Sequence, residues 1–130
     1  MTRDEFKEIT LKFTDAFNRD DLDGVMAWFA EDAVYDEFHG VRHEGKEAIR
    51  AAFEPMFAGK FGKVRFEEED LFLDPEDGKA MISWSCVLTT SERSSAWRGL
   101  DLLHVEGGRI VAKHTYAKTA RPLFEARAAA

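Results

Sequence analysis

The chain sets its helical patterns first and its long strand patterns last, and that segregation limits its fold more than any other feature. Over residues 2–18, Phe6, Ile9, Phe13, Ala16 and Phe17 recur at three- and four-residue steps, one apolar stripe on a helix, with Thr2 and Glu5 at capping-box spacing. Asp20 and Asp21 interrupt the pattern; Leu22, Val25, Met26 and Phe29 then give a shorter second helix that stops before Glu31 and Asp32. Residues 33–38 read as a short strand ending at His39 and Gly40, with Tyr35 and Glu37 on one face and Asp36 on the other. Beyond a polar loop to Gly45, a third helical stripe runs through Ala48, Ile49, Ala52, Phe53 and Phe57, with Pro55 near its end. The remainder is four strand-like runs, 61–73, 80–90, 96–106 and 109–118, divided by turn-forming segments that include Gly107 and Gly108.

Helices followed by a series of strands imply an α+β fold in which a bent sheet packs against helices. Strands of about ten residues are long for a small domain, where about five or six is usual, so the sheet has to curl and acquire a concave face. A length of 130 residues with 45% hydrophobic content suits one domain over residues 1–130 with one real core. The net charge of −7, with 18 basic residues scattered among 25 acidic ones, argues against nucleic acid as a partner. The first residues are charged and amphipathic rather than apolar, and no stretch approaches a membrane span, so a soluble, cytoplasmic protein is expected. The single cysteine, Cys86, lies in an apolar run where packing is its expected role.

The order of elements, and two local stretches, resemble the nuclear transport factor 2-like superfamily, which includes ketosteroid isomerases, SnoaL-type polyketide cyclases, scytalone dehydratase and limonene epoxide hydrolase. The stretches are Phe29-Ala-Glu-Asp-Ala-Val-Tyr-Asp-Glu-Phe-His-Gly followed by Gly45-Lys-Glu-Ala-Ile-Arg, and Gly99-Leu-Asp-Leu-Leu-His-Val-Glu-Gly-Gly-Arg-Ile-Val-Ala-Lys-His-Thr-Tyr-Ala-Lys. The resemblance covers residues 5–118. It implies a cone-shaped α+β barrel, three N-terminal helices packed on a strongly curved mixed or antiparallel sheet, and a homodimer. It also implies that Glu37 stands where ketosteroid isomerases place their carboxylate base. Asp101 takes the inward position that is a protonated oxyanion-hole Asp in those enzymes and the acid/base Asp in SnoaL-like cyclases. Phe13 stands where the isomerases place an oxyanion-hole tyrosine, which argues against steroid isomerisation, and Gly99 occupies the place the epoxide hydrolases need for an arginine.

Elementary chemistry singles out the same residues. Asp101 sits mid-strand between Leu100 and Leu102, where burial without partners is costly. With a two-residue turn at Gly107 and Gly108, Asp101 faces His114 and Gly99 faces Tyr116; a longer, bulged turn puts Lys113 opposite Asp101 instead. Either partner would hold the carboxylate ionised, whereas an apolar pocket alone would keep it protonated. Tyr35, Tyr116, Phe13, Trp97, Phe53 and Lys113 are candidates for binding a substrate. His39 and His43 flank a turn and are expected in solvent, and His104 alternates away from Asp101. Trp84 and Trp97 read first as core or interface residues, with the lining of the pocket as the alternative. The open face of the sheet, to which Trp84, Cys86 and Leu88 are assigned with the leucines, needs covering, and a homodimer is the ordinary solution. Metal motifs fail: His43-Glu-Gly-Lys-Glu47 begins like a zinc helix but lacks its second histidine, and no metal or cofactor is expected.

These readings converge on a cofactor-free general acid/base enzyme, of isomerase, polyketide-cyclase or dehydratase (lyase) type, acting on a small apolar carbonyl or ring compound. Asp101, Glu37 and His114 are its candidate catalytic residues. The rival is a non-catalytic ligand-binding or dimerisation module, since one fold hosts many functions.

Overall fold

The computed structural model describes residues 1–127. Its elements run α1 (Arg3–Asn18), α2 (Leu22–Met26), β1 (Phe29–Asp36), β2 (Arg42–Glu44), α3 (Lys46–Phe57), β3 (Lys63–Asp74), β4 (Lys79–Thr89), β5 (Ser94–Glu106) and β6 (Arg109–Ala117). No helix among the described residues is long and apolar enough to cross a membrane.

Helix α1 starts as its first residues direct. Thr2 Oγ1 accepts from the Glu5 backbone N–H at 3.1 Å, and Glu5 Oε2 accepts from the Thr2 N–H at 3.1 Å. Its inward stripe is Phe6, Thr10, Phe13 and Phe17, and the hydroxyl of Thr10 is satisfied within the helix by the Phe6 carbonyl. Asn18 closes the helix against the sheet: its side-chain amide donates to the Phe66 carbonyl at 2.8 Å and its oxygen accepts from the Phe66 N–H at 2.7 Å. Both backbone groups belong to the outermost strand β3, so one side chain satisfies part of an exposed sheet edge.

The six strands form one sheet in the order β2-β1-β6-β5-β4-β3. It is mixed, because β1 runs parallel to β6 while every other neighbouring pair is antiparallel. The expected long strands are all present, and α3 follows two strands rather than preceding the sheet. Phe29 and Ala30, read as the end of the second helix, begin β1 instead; Phe29 pairs with Ile110, so tertiary burial outweighs the local helical step. The polar loop before Gly45 contains β2, three residues held by pairing with β1 rather than by β-prone side chains. Helices and concave sheet face enclose a core of Phe6, Phe13, Phe29, Ile49, Phe53 and Leu103, among others, with the rings of Phe13 and Phe29 edge to face at 5.5 Å.

The alternation of β4 differs from expectation. Trp84 and Cys86 point to the concave face and are buried with Ile82, while Met81, Ser83, Ser85 and Val87 occupy the outer face, half-buried. Trp84 lies on the concave side because Gly99, its partner on β5, leaves room for the indole: a Cβ on Gly99 would come within 2.7 Å of the ring.

Candidate active site

The concave face ends in a cavity of about 390 Å³ between the sheet, α1 and α3, within the range of about 300–1,000 Å³ usual for small-molecule sites. Its wall is largely aromatic, with Phe13, Phe17, Phe53 and Phe66 from helices and β3, and Trp84 and Trp97 from the central strands. Tyr35, Glu37, Asp101 and Lys113 supply polar atoms to the same space.

At the inner end stands a closed ionic network. Asp101 is 7% exposed. Its Oδ1 accepts from Thr115 Oγ1 at 2.6 Å and lies 3.1 Å from Lys113 Nζ, and its Oδ2 accepts from the Trp84 indole N–H at 3.1 Å. Lys113 also donates to Thr115 Oγ1 at 2.8 Å and holds its ammonium 4.3 Å from the centre of the Tyr35 ring. Burial works to discharge Lys113, but the Asp101 carboxylate, reinforced by Tyr35 and Glu37, outweighs it and raises the pKa above that of an ordinary lysine. Burial likewise pushes the Tyr35 hydroxyl up, against the pull of the Lys113 charge. Burial, with Asp101 nearby, raises the Cys86 thiol to about 11, so its packing role comes with an unreactive sulfur.

The register around Asp101 differs from both alternatives. Glu106 pairs with Arg109 and Val105 with Ile110 across a tight turn, but β6 then carries an extra residue and the register shifts between His104 and Val105. Asp101 therefore faces Thr115, and Gly99 faces Ala117. The bulge lies beyond the turn and moves the partner one place towards the C-terminus, away from the Lys113 register expected of a longer turn. Lys113 still reaches Asp101, two residues along the same face, whereas His114 projects through the other face. There His114 Nδ1 lies 2.6 Å from Asp36 Oδ2, and its ring meets His104 at 5.3 Å. Tyr116, 58% exposed, shares that outer side, and both residues line a separate hollow bordered by residues 122–125. His114 and Tyr116 are thus not neighbours of the Asp101 carboxylate.

The mouth of the cavity carries Glu37. The two histidines expected in solvent converge on it: its Oε2 lies 3.0 Å from His43 Nε2 and 3.2 Å from His39 Nε2. His43 is brought there by β2, directly across from Tyr35, and the rings of Tyr35 and His43 lie 5.7 Å apart. Phe38 packs on Trp97 at 5.0 Å, forming an aromatic rim beside Glu37. Phe13, Phe53, Trp97, Tyr35 and Lys113 all line the cavity. His39 and His43 meet Glu37 rather than solvent, Trp84 binds Asp101 from the cavity side rather than covering the open face, and Thr115 was not singled out from the sequence. Thr115 left only one trace there, as a β-branched hydroxyl in a strand alternating with Lys113.

Comparison with solved structures places the same architecture around other chains. A nuclear transport factor 2-like protein of unknown function from Mesorhizobium loti is 26% identical, with 89% of this chain and 93% of that chain covered and a TM-score of 0.74. A counterpart from Burkholderia pseudomallei, also nuclear transport factor 2-like and of unknown function, is 19% identical over 92% and 94% of the two chains, with a TM-score of 0.77. A candidate polyketide cyclase from Xanthomonas campestris pv. campestris is 23% identical over 88% and 90%, with a TM-score of 0.71. A comparison with curated proteins finds no match. Residues 11–113 match the SnoaL-like domain, which takes in both cavity carboxylates and Lys113, and the chain belongs to that family, within the nuclear transport factor 2-like superfamily.

Proposed function

We propose that the protein binds a small, largely apolar carbonyl or ring compound in this cavity and moves a proton on it by cofactor-free general acid/base catalysis, as an isomerase, cyclase or dehydratase would. The observation that carries the proposal is that two carboxylates of different environment, Glu37 and Asp101, open onto one aromatic cavity. Glu37, with an oxygen left over from its histidine contacts, is the base that takes a proton from carbon. Lys113, kept charged by Asp101, is the group that stabilises negative charge developing on the carbonyl oxygen. Asp101 thereby acts as the anchor of that cation, and Thr115 and Trp84 fix it by donating to its two oxygens. His114, paired with Asp36 on the other face, has no part in this scheme.

One observation favours the rival reading of a non-catalytic binding module. Both oxygens of Asp101 already have protein donors, an arrangement that could serve stability alone. The two readings separate in a panel of cyclic and aryl ketones. Trp84 and Trp97 line the cavity, so binding should alter tryptophan fluorescence. An enzyme also exchanges the hydrogens next to the carbonyl with D2O, whereas a binding module changes fluorescence without catalysing exchange. The outer sheet face, with Leu100, Leu102 and the exposed Phe72, is proposed to meet a second copy of the chain. Sedimentation of a Leu102→Asp variant as a monomer alongside a dimeric parent would bear this out. A cytoplasmic location is part of the same reading.

A further inference from the structure

A base that removes a proton from a bound ligand must lose that proton before it can act again. Glu37 is poorly placed to do so unaided, because its side chain is only 20% exposed and faces a cavity that a ligand would fill. The residues around it form a graded path outward. His43 Nε2 lies 3.0 Å from Glu37 Oε2, a contact that selects the Nε2–H tautomer because a carboxylate can only accept, and Oε1 is left to face a ligand. His39 Nε2 stands 3.2 Å from the same Oε2, and His39 is the most exposed of the three, at 43% against 21% for His43. The placement is built into the backbone. Glu37 N–H donates to the Val41 carbonyl at 2.9 Å and Gly40 N–H to the Glu37 carbonyl at 3.0 Å, so the turn folds His39 back over the carboxylate. Pairing of Tyr35 with His43 fixes the second imidazole, and Phe38 braces the His39 ring at 4.9 Å.

We propose that His43 and His39 form a proton exit for Glu37, His43 as a positioning residue that fixes the carboxylate and His39 as the group that exchanges its proton with water. The proposal rests on Glu37 being the base. The step balances within the protein. Glu37 takes a proton from the ligand carbon, leaving the electron pair on the ligand, and becomes a carboxylic acid. The protonated carboxyl turns about its Cγ–Cδ bond to bring its O–H onto the unprotonated Nε2 of a neutral His39 and passes the proton there, and His39 gives up its Nδ1 proton to water. Glu37 is a carboxylate again, His39 is neutral with its proton on the other nitrogen, and a second exchange with water restores the starting tautomer.

Two measurements on the full chain test the idea. The first needs no ligand: nitrogen-15 NMR of the imidazoles reads which ring nitrogen bears hydrogen. His43 should be fixed as the Nε2–H form, and Glu37→Leu should release that preference; an unbiased His43 in the parent protein overturns the positioning role whatever the activity. The second follows hydrogen–deuterium exchange next to the carbonyl of cyclohexanone. His39→Ala should slow exchange about tenfold or more, and added imidazole should restore much of the loss, a rescue that a structural role would not show. Parental exchange with an undiminished rate in His39→Ala overturns the exit. No exchange by the parent, with His43 still fixed, instead defeats Glu37 as base and the exit with it.

Discussion

Asp101 and Thr115 face each other across β5 and β6, with the Thr115 hydroxyl donating to Asp101 Oδ1 at 2.6 Å. That hydroxyl also accepts from Lys113, so it links both members of a buried ion pair. Thr115→Val keeps the shape and removes both hydrogen bonds, and should cost about 1.5–3 kcal/mol, as for hydrogen bonds to charged groups. Urea unfolding of the two proteins measures it.

The ion pair itself should show the asymmetry of buried charges. Lys113→Met leaves the Asp101 carboxylate buried beside Trp84 and Thr115 without its cation, and should destabilise the fold by about 3–5 kcal/mol. Adding Asp101→Leu to that variant should recover much of the loss, because no uncompensated charge then remains. Thermal unfolding of both single variants and the double variant gives the coupling.

Gly99→Ala should disturb the Asp101 site through Trp84, without a direct contact to any charged group. Its Cβ would lie 2.4 Å from the Tyr116 carbonyl and 2.7 Å from the Trp84 indole, so the strands must part or the ring must swing away from Asp101. A loss of about 1–3 kcal/mol is expected, typical of overpacking, together with a change in Trp84 fluorescence.

Alkaline pH should weaken the protein through groups whose protons the folded chain holds more tightly. The Cys86 thiol is raised to about 11 in the folded chain, against about 8.5 when unfolded. Folding therefore holds that proton more tightly, and the stability it confers is complete below about pH 8.5 and lost as pH rises through about 11. Lys113 and Tyr35 are raised as well, so their contributions disappear at still more alkaline pH than their ordinary values near 10. At pH 8 alkylation of Cys86 by iodoacetamide should be slow in the native protein and rapid in urea.

Much of this arrangement was readable from residue order. The stripes of α1 and α3 and the four long strands follow from periodicity, because each buries one face against a single core. Asp101 was placed inward by resemblance, and Leu103 and Val105 share its face as alternation requires. Its true partner was hidden by one extra residue in β6, since a bulge has no strong residue signature and shifts every pairing beyond it. Leucines on both faces of β5 blurred which side of β4 was buried, so Trp84 and Cys86 were assigned outward. The meeting of Glu37 with His39 and His43 depends on a tight turn and on β2, whose residues Arg42, His43 and Glu44 carry no strand preference of their own.

The central claim is that Glu37 removes a proton from a ligand held in the aromatic cavity. The direct measurement is the rate at which the parent protein and Glu37→Gln exchange the hydrogens next to a ketone carbonyl in D2O, with tryptophan fluorescence showing that both bind the ketone. The account predicts equal binding and exchange slower by about a hundredfold or more in Glu37→Gln. Equal binding with equal exchange rates would contradict it.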